Sequence, residues 1–141
     1  MPVRPLRVSF PYERRPSGVL GSIRRPVAQV ELYSNALRQW IGCTMVVDTG
    51  ADYCVLPLRV ALTLGIDLRT CQRHVAAGIG GQQTIFLCRG VRLRLGPRAV
   101  SILAGIVERD DLPPLLGRYR CLDVFDLRLC HFVTTFAPPG R

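Results

Sequence analysis

The sequence predicts a mainly β domain with one or two short helices, and three observations carry that expectation. Apolar residues recur in short runs or at alternate positions, as in Val91, Leu93 and Leu95 set between Arg92 and Arg94. Glycine (13) and proline (11) punctuate these runs often enough to supply many turns. Helical patterning is confined to residues 57–65 and a short segment near 121–125. At 141 residues the chain has room for one ordinary domain with its own hydrophobic core.

Taken in order, residues 1–26 carry Pro2, Pro5, Pro11, Pro16 and Pro26. Proline fixes φ and lacks an amide donor, so this stretch is expected to be an extended arm lying on the domain, neither helix nor central strand. The domain proper is expected over 27–137, with 138–141 a tail. Val27, Val30 and Leu32 open the first strand and Ser34-Asn35 turns it. The apolar run 40–47 then makes a buried strand whose end delivers Asp48. Pro57 and Gly65 bound a helix of about two turns. Residues 74–77 and 83–87 flank Gly78-Ile79-Gly80-Gly81, whose glycines supply the positive φ angles of a tight hairpin. Strands at 91–95 and 100–107, a charged loop at 108–114 and a last strand at 127–136 complete the expectation.

Composition excludes several classes. The net charge is +9 and all 19 basic residues are arginine. They are scattered, with Arg14-Arg15 and Arg24-Arg25 the only adjacent pairs, and no aromatic stacking motif accompanies them, so nucleic acid is not expected as a partner. Cys43, Cys54, Cys71, Cys88, Cys121 and Cys130 form no C-x-x-C and no zinc-ligand spacing with His74 or His131. No metal or other cofactor is therefore expected, and the cysteines read as free thiols, mostly buried. No run of 18 apolar residues suggests a membrane span, and no apolar stretch follows Arg4 and Arg7 as in a signal peptide. A cytoplasmic chain without a membrane partner is the expectation.

The strongest feature is Val46-Val47-Asp48-Thr49-Gly50-Ala51-Asp52. A carboxylate at a strand end is held rigidly, Thr49 can hydrogen-bond to neighbouring backbone, and Gly50 allows close approach to the main chain. A bare D-T-G arises by chance about once in forty chains of this length, so the triplet alone says little. Five residues, D-T-G-A-D, directly after a buried strand are rarer by a factor of a few hundred on the same reckoning.

With this motif the chain resembles the retroviral-type, single-lobe aspartic proteases, the retropepsin-like family. Four features match in order across roughly residues 27–136: Asp48 to Asp52, the glycine-rich hairpin Gly78, Ile79, Gly80 and Gly81 in the place of the flap, the triplet Leu115-Leu116-Gly117, and Arg118 directly after it. The resemblance implies a closed β-barrel lobe and an aspartic endopeptidase with Asp48 as its catalytic carboxylate. It also implies that Thr49, Gly50, Ala51 and Asp52 support the site loop, that Leu115 to Gly117 pack beside it, and that Arg118 pairs with Asp52. On the residues alone, Asp52 reads equally as a turn-capping acid and Arg118 as one more surface arginine.

The chemistry needs two carboxylates sharing a proton, and one D-T-G supplies only one. Asp52, Asp110 and Asp111 are the other acids weighed for that role. A homodimer acting on a peptide or protein substrate is therefore expected, with one Asp48 from each subunit. Viral members dimerise partly by interleaving terminal strands. The prolines of the arm and of Ala137-Pro138-Pro139-Gly140-Arg141 lack the donors for that, so a differently built contact is expected. The competing expectation is a binding or assembly module that keeps the fold with little or no hydrolysis.

Overall fold

The computed structural model describes residues 7–140. From Val8 on, the segment expected to be an extended arm is built of strands. β1 (Val8–Pro11) is a strand, and β2 (Glu13–Ser17) and β3 (Gly21–Arg25) make a hairpin that pairs only with itself. Pro11 and Pro16 are tolerated because both lie on two- or three-stranded sheets where a missing N–H faces outward or ends the ladder. Pro2 and Pro5 lie outside the described residues.

β4 (Val27–Ser34) and β5 (Gln39–Val47) run antiparallel from Val27↔Val46 to Ser34↔Gln39. Period-two alternation turns Val30 and Leu32 inward and leaves Gln29 in solvent. β6 (Cys54–Pro57) leads into α1 (Leu58–Leu64), which Gly65 ends in the left-handed conformation, φ 71°. Ser34 ties this helix to β4: its hydroxyl donates to the Thr63 carbonyl at 2.7 Å, and Asn35 N–H donates to Leu64 O at 3.0 Å.

β7 (Gln72–Gly78) and β8 (Gly81–Leu95) form the glycine hairpin. β8 runs on without a break, so the expected separate strand at 91–95 is its second half, reached through a register shift between Cys88 and Val91. β9 (Arg98–Val107) and the two-residue β10 (Leu115–Leu116) complete a seven-stranded sheet of order β4-β5-β10-β6-β9-β8-β7. β8 also pairs with β4, through Glu31↔Arg94 and Leu32↔Leu93, so the sheet curls back on itself. Inside the curl lie Leu32, Met45, Leu56, Leu93, Ile106 and Leu116, all essentially inaccessible.

A 3-10 turn at Leu122–Val124 occupies the second expected helical segment. The expected last strand is two strands, β11 (Asp126–Cys130) and β12 (Val133–Ala137). His131 and Phe132 turn the chain between them at φ 52° and 60°, with neither Gly nor Pro to announce it. β12 lies between β11 and β1 in a second sheet. Phe136 fastens that sheet to the body: it is fully buried, edge-on to Phe10 at 6.1 Å and to Phe125 at 5.5 Å. Burial of one such ring contributes about 2–3 kcal/mol. Among the described residues no helix is long and apolar enough to cross a membrane.

The cysteines depart from expectation. Cys71 and Cys88 form a disulfide, with Cα atoms 4.8 Å apart. They stand next to the register pair Gln72↔Leu87, where antiparallel neighbours face each other. A separation of 17 residues gives no hint of this until β7 and β8 are paired. Cys43, Cys54, Cys121 and Cys130 are free.

Candidate active site

Asp48 follows β5 directly and is half-buried. Its main chain is fixed on both sides: Asp48 N–H donates to Leu116 O at 3.0 Å, and Ala51 N–H donates to Asp48 O at 3.1 Å. The side chain is oriented by its own loop, with Gly50 N–H donating to Asp48 Oδ1 at 3.0 Å. Such preorganisation leaves little freedom to the carboxylate before any substrate arrives.

The residues of the second motif frame this loop. β10 inserts between β5 and β6, pairing Leu115↔Val46 and Leu116↔Val47 in parallel and Leu115↔Val55 antiparallel. Arg118 N–H then donates to Ala51 O at 3.0 Å and Tyr119 N–H to Asp52 O at 2.9 Å. Gly117 is buried, and a Cβ there would stand 2.1 Å from the Tyr53 carbonyl oxygen, so no other residue fits without moving the backbone. Arg118 Nη2 donates to Asp52 Oδ1, forming an ion pair whose two side chains remain substantially exposed.

Thr49 is exposed, and within the single chain no hydrogen bond of its hydroxyl is found among the described residues. The expectation of several positive φ angles in the hairpin needs correction. In the glycine hairpin only Gly81 has a positive φ, 107°; the two-residue turn Ile79-Gly80 closes on that one angle. Ile79 at its tip is fully exposed.

Sequence reasoning missed several neighbours. Tyr53 packs its ring where a Cβ on Gly105 would fall, 2.6 Å away, and so joins the loop to β9. Behind the loop, Gly117 N–H donates to Cys54 Sγ at 3.5 Å. The Cys121 thiol, hydrogen-bonded to Cys54 and buried, is held well above the ordinary thiol range and stays protonated at neutral pH. Beneath the hairpin, a hollow of about 230 Å³ is walled by Ala76, Gly78, Gln82, Arg109 and Leu112. The last two belong to the loop read only as charged and solvated. A larger hollow of about 500 Å³ lies at the hairpin base beside Cys71 and Cys88. Asp48 lines neither, so the site is located from its carboxylate and not from cavity size.

The other acids weighed for a second carboxylate are all engaged. Asp52 meets Arg118, Asp110 accepts from Arg59 N–H at 3.3 Å, and Asp111 is held by Arg109 at 2.6 and 3.0 Å. Among the described residues no three His, Cys, Asp or Glu side chains gather to hold a metal ion.

The sequence profile described as aspartyl protease matches residues 41–119, more than half of the chain. No curated protein matches. Among solved structures, the chain is similar to a retropepsin-like aspartic protease from Rickettsia conorii: TM-score 0.62 and 17% identity, over 92% of this chain and 97% of that one. At that identity the likeness shows a shared fold.

Proposed function

Since the chain belongs to the aspartyl protease family, we propose that it is an aspartic endopeptidase that works as a homodimer, with Asp48 of each subunit forming the catalytic pair. The observation that carries this reading is the state of the carboxylates. Asp48 is held by its own loop with no cation on it, while Asp52, Asp110 and Asp111 are each committed to an arginine. Of Asp48, Asp52, Asp110 and Asp111, only Asp48 is left without an arginine; it makes half of a two-carboxylate site, and a two-fold axis supplies the other half.

In that pair like charges at close range favour one shared proton. The ionised Asp48 takes a proton from a water, whose oxygen attacks the scissile carbonyl carbon. The protonated Asp48 donates to the carbonyl oxygen, giving a tetrahedral gem-diol. Proton transfer to the amide nitrogen then lets the C–N bond break, yielding a carboxylic acid and an amine. The hairpin of β7 and β8 acts as a flap, with Ile79 reaching over the bound peptide and backbone groups of Gly78 to Gly81 offered to it. Arg118, paired with Asp52, and Leu115 to Gly117 position the loop and do not touch the reacting atoms.

The test is cleavage of a mixed peptide library by the wild-type chain and by Asp48→Asn over a dilution series, from acidic to neutral pH. Loss on the order of 10²–10⁴-fold in the variant, with fold intact by circular dichroism, is expected. Activity per mole of wild type should also drop steeply on dilution. Cleavage that persists in Asp48→Asn would remove the assignment. No cleavage by concentrated, acidified wild type would favour a binding module on the same fold.

A further inference from the structure

The β2–β3 hairpin has an unusual root. Val47 N–H donates to Pro26 O at 2.8 Å and Val27 pairs with Val46, so β3 leaves the body beside the strand end that carries Asp48. The other foot is fastened to the β11–β12 turn. Tyr12 N–H donates to Phe132 O at 2.9 Å, the two rings meet edge-on at 5.7 Å, and the Arg24 guanidinium lies 4.4 Å over Phe132. From that clamp two five-residue strands run out with no third strand beside them, which gives a reach of about 17 Å.

The tip is built to present apolar side chains. Ser17 Oγ accepts from Val19 N–H at 3.3 Å and from Leu20 N–H at 3.1 Å, fixing the turn. Val19 is 91% and Leu20 73% exposed, more than any other large apolar residue among the described residues except Ile79 on the flap. An isolated two-stranded hairpin is marginal in water, and here Arg14 stands directly opposite Arg24. A hairpin of this kind is stabilised by something that covers it.

We propose that this hairpin is the subunit clasp: it crosses to a second copy of this chain and seats Val19 and Leu20 on it. The inference rests on the homodimer reading above and adds where the contact lies. An axis that brings two Asp48 loops together passes beside the clasp's root, so the second copy is within its reach. The terminal strands β1 and β12, by contrast, pair with each other within the chain, from Val8↔Phe136 to Pro11↔Val133, which leaves only the outer edges of β1 and β11 for any strand from a partner. By the two-fold operation each subunit gives one clasp and receives one.

Sedimentation of the full chain carrying Asp48→Asn, which removes self-cleavage, tests this directly. Adding Val19→Ser and Leu20→Ser should raise the dimer dissociation constant at least tenfold. Leu37→Ser, an exposed apolar change in the β4–β5 turn at the opposite end of β5, should leave it unchanged. In the active background the tip variant should need about tenfold more protein for the same specific activity, with unaltered turnover once dimeric. A tip variant that dimerises like its parent overturns the clasp. Tip-dependent capture on phosphatidylserine vesicles, with dimerisation unaltered, overturns it in favour of a lipid surface. The two readings separate cleanly. Tip-dependent dimers that cleave nothing remove the peptidase and keep the clasp, whereas an unchanged dilution curve for cleavage removes the clasp and keeps the peptidase.

Discussion

The loop that carries Asp48 and the β7–β8 hairpin are built on opposite principles. The loop is a few residues long, yet backbone bonds join it to Leu116, Arg118 and Tyr119, and buried Gly117 and Cys54 close it from behind. The hairpin is a two-stranded ribbon from its tip to Ile85, where β9 joins it, and every residue of β7 except Ala76 is exposed. The loop takes its stability from the core, whereas the hairpin takes its shape from cross-strand pairs and one disulfide at its base. In the peptidase proposed above, fixed chemistry and a moving cover would call for that division.

Substitution can break the contrast on either side. Gly117→Ala should have the largest effect on stability, because a Cβ 2.1 Å from a backbone carbonyl oxygen cannot be relieved by a side-chain rotation. A loss of about 3 kcal/mol in urea unfolding is expected, together with loss of cleavage. A variant of unchanged stability would mean the loop is less rigidly framed than described. Reduction of Cys71–Cys88 by a dithiol should cost about 2–3 kcal/mol on loop-closure grounds, seen as a lower thermal midpoint. Amide exchange should quicken in β7 and the first half of β8 while the Asp48 loop keeps its protection. Equal acceleration in both would erase the distinction. The smallest effect on stability belongs to Ile79→Ser, within about 0.5 kcal/mol, since the side chain touches nothing in the single chain. Its kcat/KM should nonetheless fall on the order of tenfold, as expected when an apolar contact made only with substrate is deleted.

What was legible in the sequence follows the same line. Asp48 to Asp52, the helix closed by Gly65 and the glycine hairpin depend on residues adjacent in the chain, so local pattern exposed them. The place of β10 between β5 and β6 depends on pairing across the whole chain, and only the family resemblance pointed to Leu115, Leu116 and Gly117. Cys71 and Cys88 meet through strand register, which cysteine spacing does not encode. The turn at His131-Phe132 was hidden because two non-glycine residues adopt the left-handed region, and β2–β3 was hidden because prolines argued against strand pairing. Arg109 and Leu112 border the hollow under the β7–β8 hairpin, and nothing in the charge pattern of the 108–114 loop announces it.

The bonds from Asp48, Ala51 and Asp52 to residues 116–119 also set a clock. During synthesis the D-T-G segment emerges well before its frame, which lies roughly seventy residues further along and arrives roughly 4–14 s later at 5–20 residues per second. Throughout that interval β5 has no β10 beside it, and the aspartate sits at the end of an unfinished sheet. A nascent or prematurely terminated chain that stops short of Leu115 lacks the partner strand altogether. If Asp48 cuts as proposed, the protein has a form of restraint that requires no inhibitor: the residue is made before the segment that positions it.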